Sequence, residues 1–182
     1  MIIPRITKPY EPGLPALGDD LENYLVVAGG SVTLKLEPGD KFKIINLEGL
    51  QQAELVAFNS KGECSLSPLS LKSEHKGELT KKILTSNEES AQIAYSKLKR
   101  LGHDVNSINQ SVLVFSKEAE ANSIEEFSSN DSSICIISAP GEFEITHENI
   151  PASELRVIVQ RSRKREEGEF LLPDPLMDPV EE

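Results

Sequence analysis

Tyr24–Asn59, YLVVAGGSVTLKLEPGDKFKIINLEGLQQAELVAFN, is the stretch on which the fold turns. From Ser31 to Leu36 apolar and polar residues alternate strictly, Val32, Leu34 and Leu36 on one side and Ser31, Thr33 and Lys35 on the other. That is the period of a half-buried strand. Glu37-Pro38-Gly39-Asp40 closes it, because proline presets φ at the first turn position and glycine supplies the positive φ that the next often needs. Lys41 to Leu47 then reads as a second strand, predicted to pair with the first as a hairpin. Glu48-Gly49 punctuates again, Gln52 to Phe58 makes a third strand, and Asn59-Ser60-Lys61-Gly62 a second turn. Strands joined by turns this short predict an antiparallel meander.

Working outward, the middle of the chain carries a helical signature. Ser86 with Glu89 has the spacing of a capping box, and Ala91, Ala94, Leu98 and Leu101 recur every three or four residues as one apolar stripe. Lys97, Lys99 and Arg100 crowd the last turn, where the helix dipole favours cations, and Gly102 is the natural stop. The pattern predicts a helix over residues 87–101 that covers one opening of the sheet. Beyond it, Ser111–Ser116 and Ser133–Ser138 are apolar on both faces, as central strands are, whereas Leu155–Gln160 alternates as a peripheral strand would. Residues 117–122 allow one helical turn, and residues 123–131 read as polar and turn-rich. The predicted class is mainly β, an antiparallel β-sandwich or distorted barrel with one covering helix, with a double-psi-type β-barrel as the alternative.

At 182 residues, without tryptophan, the chain has length for one domain with a real core plus extended ends. Pro4, Pro9, Pro12 and Pro15 mark residues 1–22 as an extended arm; residues 23–165 form the β-rich domain; Pro173, Pro175 and Pro179 mark residues 166–182 as a tail or linker. Leu171, Leu172, Leu176 and Met177 are too apolar to prefer water, which suits an arm lying on a neighbouring surface. The ending Asp178–Glu182 caps no fold, so a truncated chain, a fragment or a split gene product is expected. No apolar run approaches the ~18 residues of a membrane span, and Met1–Arg5 opens no secretory signal, so the expected location is cytoplasmic. A formal charge of −11 repels phosphate backbones and anionic headgroups, which disfavours nucleic-acid and membrane partners. Arg161, Arg163, Lys164 and Arg165 are followed at once by Glu166, Glu167 and Glu169, the pattern of a solvated, mutually screened loop.

Gly29-Gly30, a strand, Pro38-Gly39-Asp40, a strand, then Gly49-x-Gln51 with an acid three residues on together resemble the opening of the urea carboxylase-associated protein family. Over most of residues 24–180 the chain is similar to the N-terminal region of proteins that fuse such a domain to a glycine-cleavage T-protein-like module, aminomethyltransferase-like and of the trimethylamine-N-oxide demethylase type. Ile136–Gly141, Pro151-Ala152-Ser153-Glu154 before the last strand, and Leu172–Pro179 carry this narrower resemblance. In the resembled proteins that tail leads into the next, catalytic copy of the domain. The resemblance implies zinc and tetrahydrofolate for the full-length protein only. Active members place Asp at the end of the Gly-x-Gln motif, joined around zinc by cysteines from elsewhere. Here the acid is Glu54, and Gln52 stands where some members have Cys. Glu reaches one methylene further, and a Zn–oxygen contact of roughly 2.0–2.2 Å leaves little slack for it. That departure implies the non-catalytic copy of a duplicated domain.

The remaining chemistry-bearing residues have bland readings. Cys135 between Ile134 and Ile136 is a small hydrophobe; Cys64, just past a turn, is the more accessible thiol and lacks a histidine at ligand spacing. His75, His103 and His147 fall in polar, loop-like contexts; His103-Asp104 has the residue types of an orienting pair, but adjacency in sequence does not aim side chains together. Gly29-Gly30 lacks the third glycine and following helix of a nucleotide fingerprint. Glu54 with Gln51 is the one constellation with a family rationale, and a surface-facing strand acid accounts for it too. No residue is assigned a catalytic, cofactor-binding or metal-ligating role. The expected function is a non-catalytic structural or oligomerisation domain, or split fragment, of a tetrahydrofolate-linked, zinc-dependent amine or amine-oxide demethylase or aminomethyltransferase-like protein. Its expected partners are an adjoining catalytic domain or companion subunit and other copies in an oligomer. The alternatives are a stand-alone metal-dependent enzyme or small-molecule binder built around Glu54 and Cys64, and a protein-interaction module docking through its Pro-rich ends.

Overall fold

The computed structural model describes residues 20–140 and 153–162. The extended arm as far as residue 19, Gly141–Ala152 with His147, the basic residues Arg163–Arg165 and the tail 166–182 lie outside the described residues. The strands are β1 Leu21–Val26, β2 Ser31–Leu36, β3 Lys41–Asn46, β4 Ala53–Phe58, β5 Val112–Val114, β6 Ser123–Ser128, β7 Ser133–Ser138 and β8 Leu155–Gln160. Two helices, α1 Glu78–Leu84 and α2 Glu89–Arg100, lie between β4 and β5. The strands form two four-stranded antiparallel sheets, ordered β1-β8-β3-β6 and β2-β7-β4-β5. The protein is therefore a mainly β, sandwich-like fold, and the described strands do not close into a barrel. Consecutive strands take matching places in opposite sheets, β1 with β2, β8 with β7, β3 with β4 and β6 with β5, which is the jelly-roll order.

This order overturns the predicted hairpin and meander. β2 pairs with β7, Ser31 opposite Ser138, and β3 pairs with β6 and β8, so the Pro38-Gly39 turn carries the chain from one sheet to the other. Alternation fixes which face of a strand is buried, but not which strand lies beside it. Two placements are corrected for a related reason. β5 is an edge strand and β8 a central one, the reverse of the expectation. Helices cover the outer face of the second sheet, so even its edge strand is apolar on both sides; no described element covers the outer face of the first, so its central strand alternates. β6, SIEEFS, occupies the segment read as turn-rich; Phe127 faces inward and stacks on Phe42 with ring centroids 5.1 Å apart.

Between the sheets, Leu34, Leu36, Phe42, Ile44, Leu55, Cys135, Ile137, Val157 and Val159 form the main core. A second cluster, with Val56, Phe58, Leu84, Leu98, Ile108 and Ile136, lies under the helices on the outer face of the second sheet. α2 thus covers a sheet face rather than an opening, and Thr33 Oγ1 fastens it by donating to the carbonyl of Ala94 at 2.9 Å. Its start differs from the expected capping box: the Glu88 carboxylate accepts the Ala91 amide at 2.8 Å, while Ser86 Oγ accepts the Glu88 amide at 3.3 Å. Its end is as read, with Gly102 at φ +89° and the His103 amide donating to the carbonyl of Leu98. β1 begins at Leu21, so the last two residues assigned to the arm belong to the sheet.

Candidate functional site

The Gly49–Glu54 segment links β3 to β4 across the sandwich. Gly49 has φ +77°, and a Cβ there would stand 2.7 Å from the Ala119 carbonyl oxygen and the Ala121 amide, so the loop can approach that backbone only with glycine. Leu50 donates its amide to the same carbonyl at 2.8 Å. Gln51, 3% exposed, is locked at three points. Its Oε1 accepts the Ser153 amide at 2.9 Å, its Nε2 donates to the carbonyl of Gln52, and its own carbonyl accepts from Asn46 Nδ2 at 2.7 Å. Gln51 therefore ties this loop to the entry of β8.

Glu54 faces the other way. Three residues is an odd separation, and along extended chain it sends side chains to opposite faces. The structure accordingly separates the two motif residues, placing Glu54 on the outer face of the second sheet beneath α1. It is 1% exposed, so the expectation of a surface-facing acid is corrected. One carboxylate oxygen accepts the Thr80 amide at 2.5 Å and the other accepts Ser111 Oγ at 2.8 Å; Ser111 Oγ in turn accepts the Gly77 amide at 2.9 Å.

The reason lies in α1. Its N-cap, Gly77, has no side chain to satisfy the first amides, and it cannot be larger, because a Cβ would stand 2.3 Å from Ile108 Cγ2. The amides at the start of a helix must find acceptors and favour negative charge. Glu54 supplies both from a different strand. Its extra methylene is what the reach across to α1 uses.

The thiols stand apart. Cys135 is fully buried in the inter-sheet core, and burial pushes its pKa up to about 12. Cys64, expected to be accessible, is 9% exposed, with its sulfur 3.4 Å from the Asn109 amide and 3.6 Å from the Gln110 carbonyl. His75 exchanges backbone hydrogen bonds with Ser111. His103 stacks on Phe58 with ring centroids 4.4 Å apart, and burial lowers its pKa. Asp104 turns to the Asn106 amide at 2.9 Å and the Tyr95 hydroxyl at 3.3 Å. Among the described residues no three His, Cys, Asp or Glu side chains converge as a metal site. The groups around Glu54 are backbone amides and a serine hydroxyl that donate hydrogens to the carboxylate, and the Ser111 oxygen already accepts the Gly77 amide. That donor set does not fit zinc, which takes Cys, His and carboxylate ligands.

A constellation that the motif reading missed lies at the far end of the first sheet. Arg161 Nε and Nη2 grip both oxygens of Glu22 at 3.0 and 2.7 Å, and Nη1 reaches Asp40 at 2.7 Å and the Lys35 carbonyl at 2.8 Å. Tyr24 donates to Glu22 at 2.7 Å, and Asp40 also accepts the Glu37 and Ser162 amides at 2.9 and 2.8 Å. Burial opposes the charge on Asp40, but those two amides and the guanidinium outweigh it and hold the carboxyl below its usual range. Burial, then the neighbouring Glu22, pushes the Tyr24 hydroxyl up. Arg161 is thus no part of a solvated loop; it clamps the Pro38-Gly39 turn to β1 and the end of β8. The available signal was Asp40 itself, a carboxylate directly after Pro-Gly.

No family model matches the chain. A crystal structure of a DUF1989 family protein from Silicibacter pomeroyi DSS-3 aligns over 79% of this chain and 80% of its own, at 13% identity and a TM-score of 0.49. Trimethylamine-oxide aldolase of Ruegeria pomeroyi is 30% identical over 186 aligned positions, which take in 98% of this chain and 23% of that protein. The chain is therefore a distant homologue of about a quarter of a trimethylamine-oxide aldolase, the similarity running through nearly all of its own length.

Proposed function

We propose that the chain is a non-catalytic structural domain of an amine-oxide-metabolising assembly, and that reactivity resides in a companion polypeptide or adjoining segment. The observation that carries this reading is the placement of Glu54: the acid that the resemblance would put at a metal is buried and occupied as the cap of α1. Among the described residues the inter-sheet core supports it, being packed with leucine, isoleucine, valine and phenylalanine side chains where some jelly rolls hold a ligand. On this reading zinc and tetrahydrofolate belong to the companion, the domain contributes packing and oligomer contacts, and neither nucleic acid nor membrane is a partner.

Zinc analysis and turnover of trimethylamine oxide by the full chain test the proposal. Substoichiometric zinc and no turnover without a companion are expected. Stoichiometric zinc that disappears in Glu54→Gln, or demethylation by the chain alone, would overturn it.

A further inference from the structure

β6 is an end strand of the first sheet, and among the described residues it pairs with β3 alone. Its other flank offers main-chain donors and acceptors to a further strand, the mode in which an extended peptide joins a sheet. Two acids occupy the middle of that edge. Glu125 lies on the same face as Phe127, which stacks inward on Phe42, and it stands opposite the fully buried Ile44. Glu126 lies on the outer face, opposite Lys43. Both acids are exposed, since even an inward-facing carboxylate reaches water at an edge.

We propose that β6 is a docking strand for an extended segment of another protein with consecutive Lys or Arg residues, and that its two acids close it to a second copy of this chain. A strand laid along β6 sets adjacent residues opposite Glu125 and Glu126, one on each face, so two neighbouring cations answer both. Main-chain pairing supplies the attraction, and the carboxylates choose the partner.

A second copy brings the wrong charge. For two copies to continue as one sheet with their cores on the same side, residues of like facing must stand opposite each other. The registers of that kind with most overlap centre on Glu125 or on Glu126, and each sets that carboxylate against its counterpart. The full-overlap register sets Glu125 against Glu126 and turns the two cores to opposite sides. Like charges directly opposite are destabilising in every case. The chain's own consecutive cations, Arg163-Lys164-Arg165, follow too closely on Ser162, whose amide is held by Asp40 at the level of Ser129. From Asp40 the free flank beside Glu126 lies about 14 Å away, two strand spacings across and three residues along. The three residues from Ser162 to Arg165 span at most about 11 Å.

Sedimentation and amide hydrogen exchange of the full chain test this, with a charge-reversed edge serving as the basic strand. Alone, the unaltered chain and Glu125→Lys/Glu126→Lys are each expected to show β6 exchange that does not change with protein concentration. Mixed, they are expected to form a heavier species in which the β6 amides gain protection, and added salt is expected to reverse it. Glu125→Thr/Glu126→Thr is expected to self-associate through β6 without a partner, a second readout if the charge-reversed variant does not fold. A mixture without added β6 protection would overturn the docking role. Concentration-dependent β6 protection in the unaltered chain, or a threonine variant that shows none, would overturn the closure. Because the readout is a single strand edge, its outcome is independent of whether the chain is catalytic.

Discussion

The carboxylate of Glu54 on β4 accepts the backbone amide of Thr80 on α1, a residue 26 positions later, and so caps a helix whose own N-cap is glycine. Removing that acceptor leaves a buried amide and the Ser111 hydroxyl unsatisfied. Glu54→Ala is expected to cost about 1–3 kcal/mol, the range for leaving a buried donor unsatisfied. Glu54→Asp is expected to lose part of that amount, its carboxylate being one methylene short of α1. Urea unfolding measures both, and an unchanged midpoint for Glu54→Ala would contradict the capping role.

The Asp40–Arg161 pair predicts a pH dependence. Asp40 titrates lower in the folded chain than its ordinary value of 3.8. Its contribution is therefore fully present above about pH 4 and is lost as pH falls from there through the folded pKa. Asp40→Asn should flatten that segment of the stability curve in acid titrations followed by circular dichroism. Arg161→Ala takes the guanidinium from both Glu22, whose side chain is 9% exposed, and Asp40, and is expected to cost about 1.5–3 kcal/mol.

Thr80 predicts a gain. Its Oγ1 is buried without a hydrogen-bond partner, although its amide is well placed on Glu54. Thr80→Val keeps the shape and removes the stranded hydroxyl, so stability is expected to hold or rise by up to about 1 kcal/mol. Calorimetry would show a fall in Tm if the hydroxyl were supporting the site instead.

Cys135 predicts inertness. With its pKa pushed up to about 12 and its side chain sealed between the sheets, it should resist aromatic disulfide reagents at pH 8 until urea unfolds the chain. Rapid labelling of native Cys64→Ser would show that the sandwich opens.

The sequence made faces legible and neighbours illegible. Val32, Leu34 and Leu36 face the inter-sheet core as their alternation says, and Ala91, Ala94 and Leu98 of the predicted stripe are buried on the underside of α2 while Leu101 caps it half-buried. Replacing Leu98 with Ala should accordingly cost about 2–5 kcal/mol. Strand partners depended on a crossover at Asp40 whose purpose is visible once Arg161 is seen beside it. α1 escaped notice because its cap comes from another strand: with glycine at the N-cap, ELTKKIL carries no local start signal. Missing α1, the reading necessarily left Glu54 at the surface. Gly49 and Gln51 stand out in the sequence only as motif letters, because fitting against Ala119 and holding the Ser153 amide are tertiary contacts.

Leu21 opens β1 directly opposite Gln160, the last residue of β8. Adjacent antiparallel residues stand about 5 Å apart, so chain entering and chain leaving share one doorway. A module with that property can be spliced into a surface loop of a host, or circularly permuted through a short bridge from Ser162 back to Asp20 that keeps the Arg161 clamp, with little disturbance to either fold.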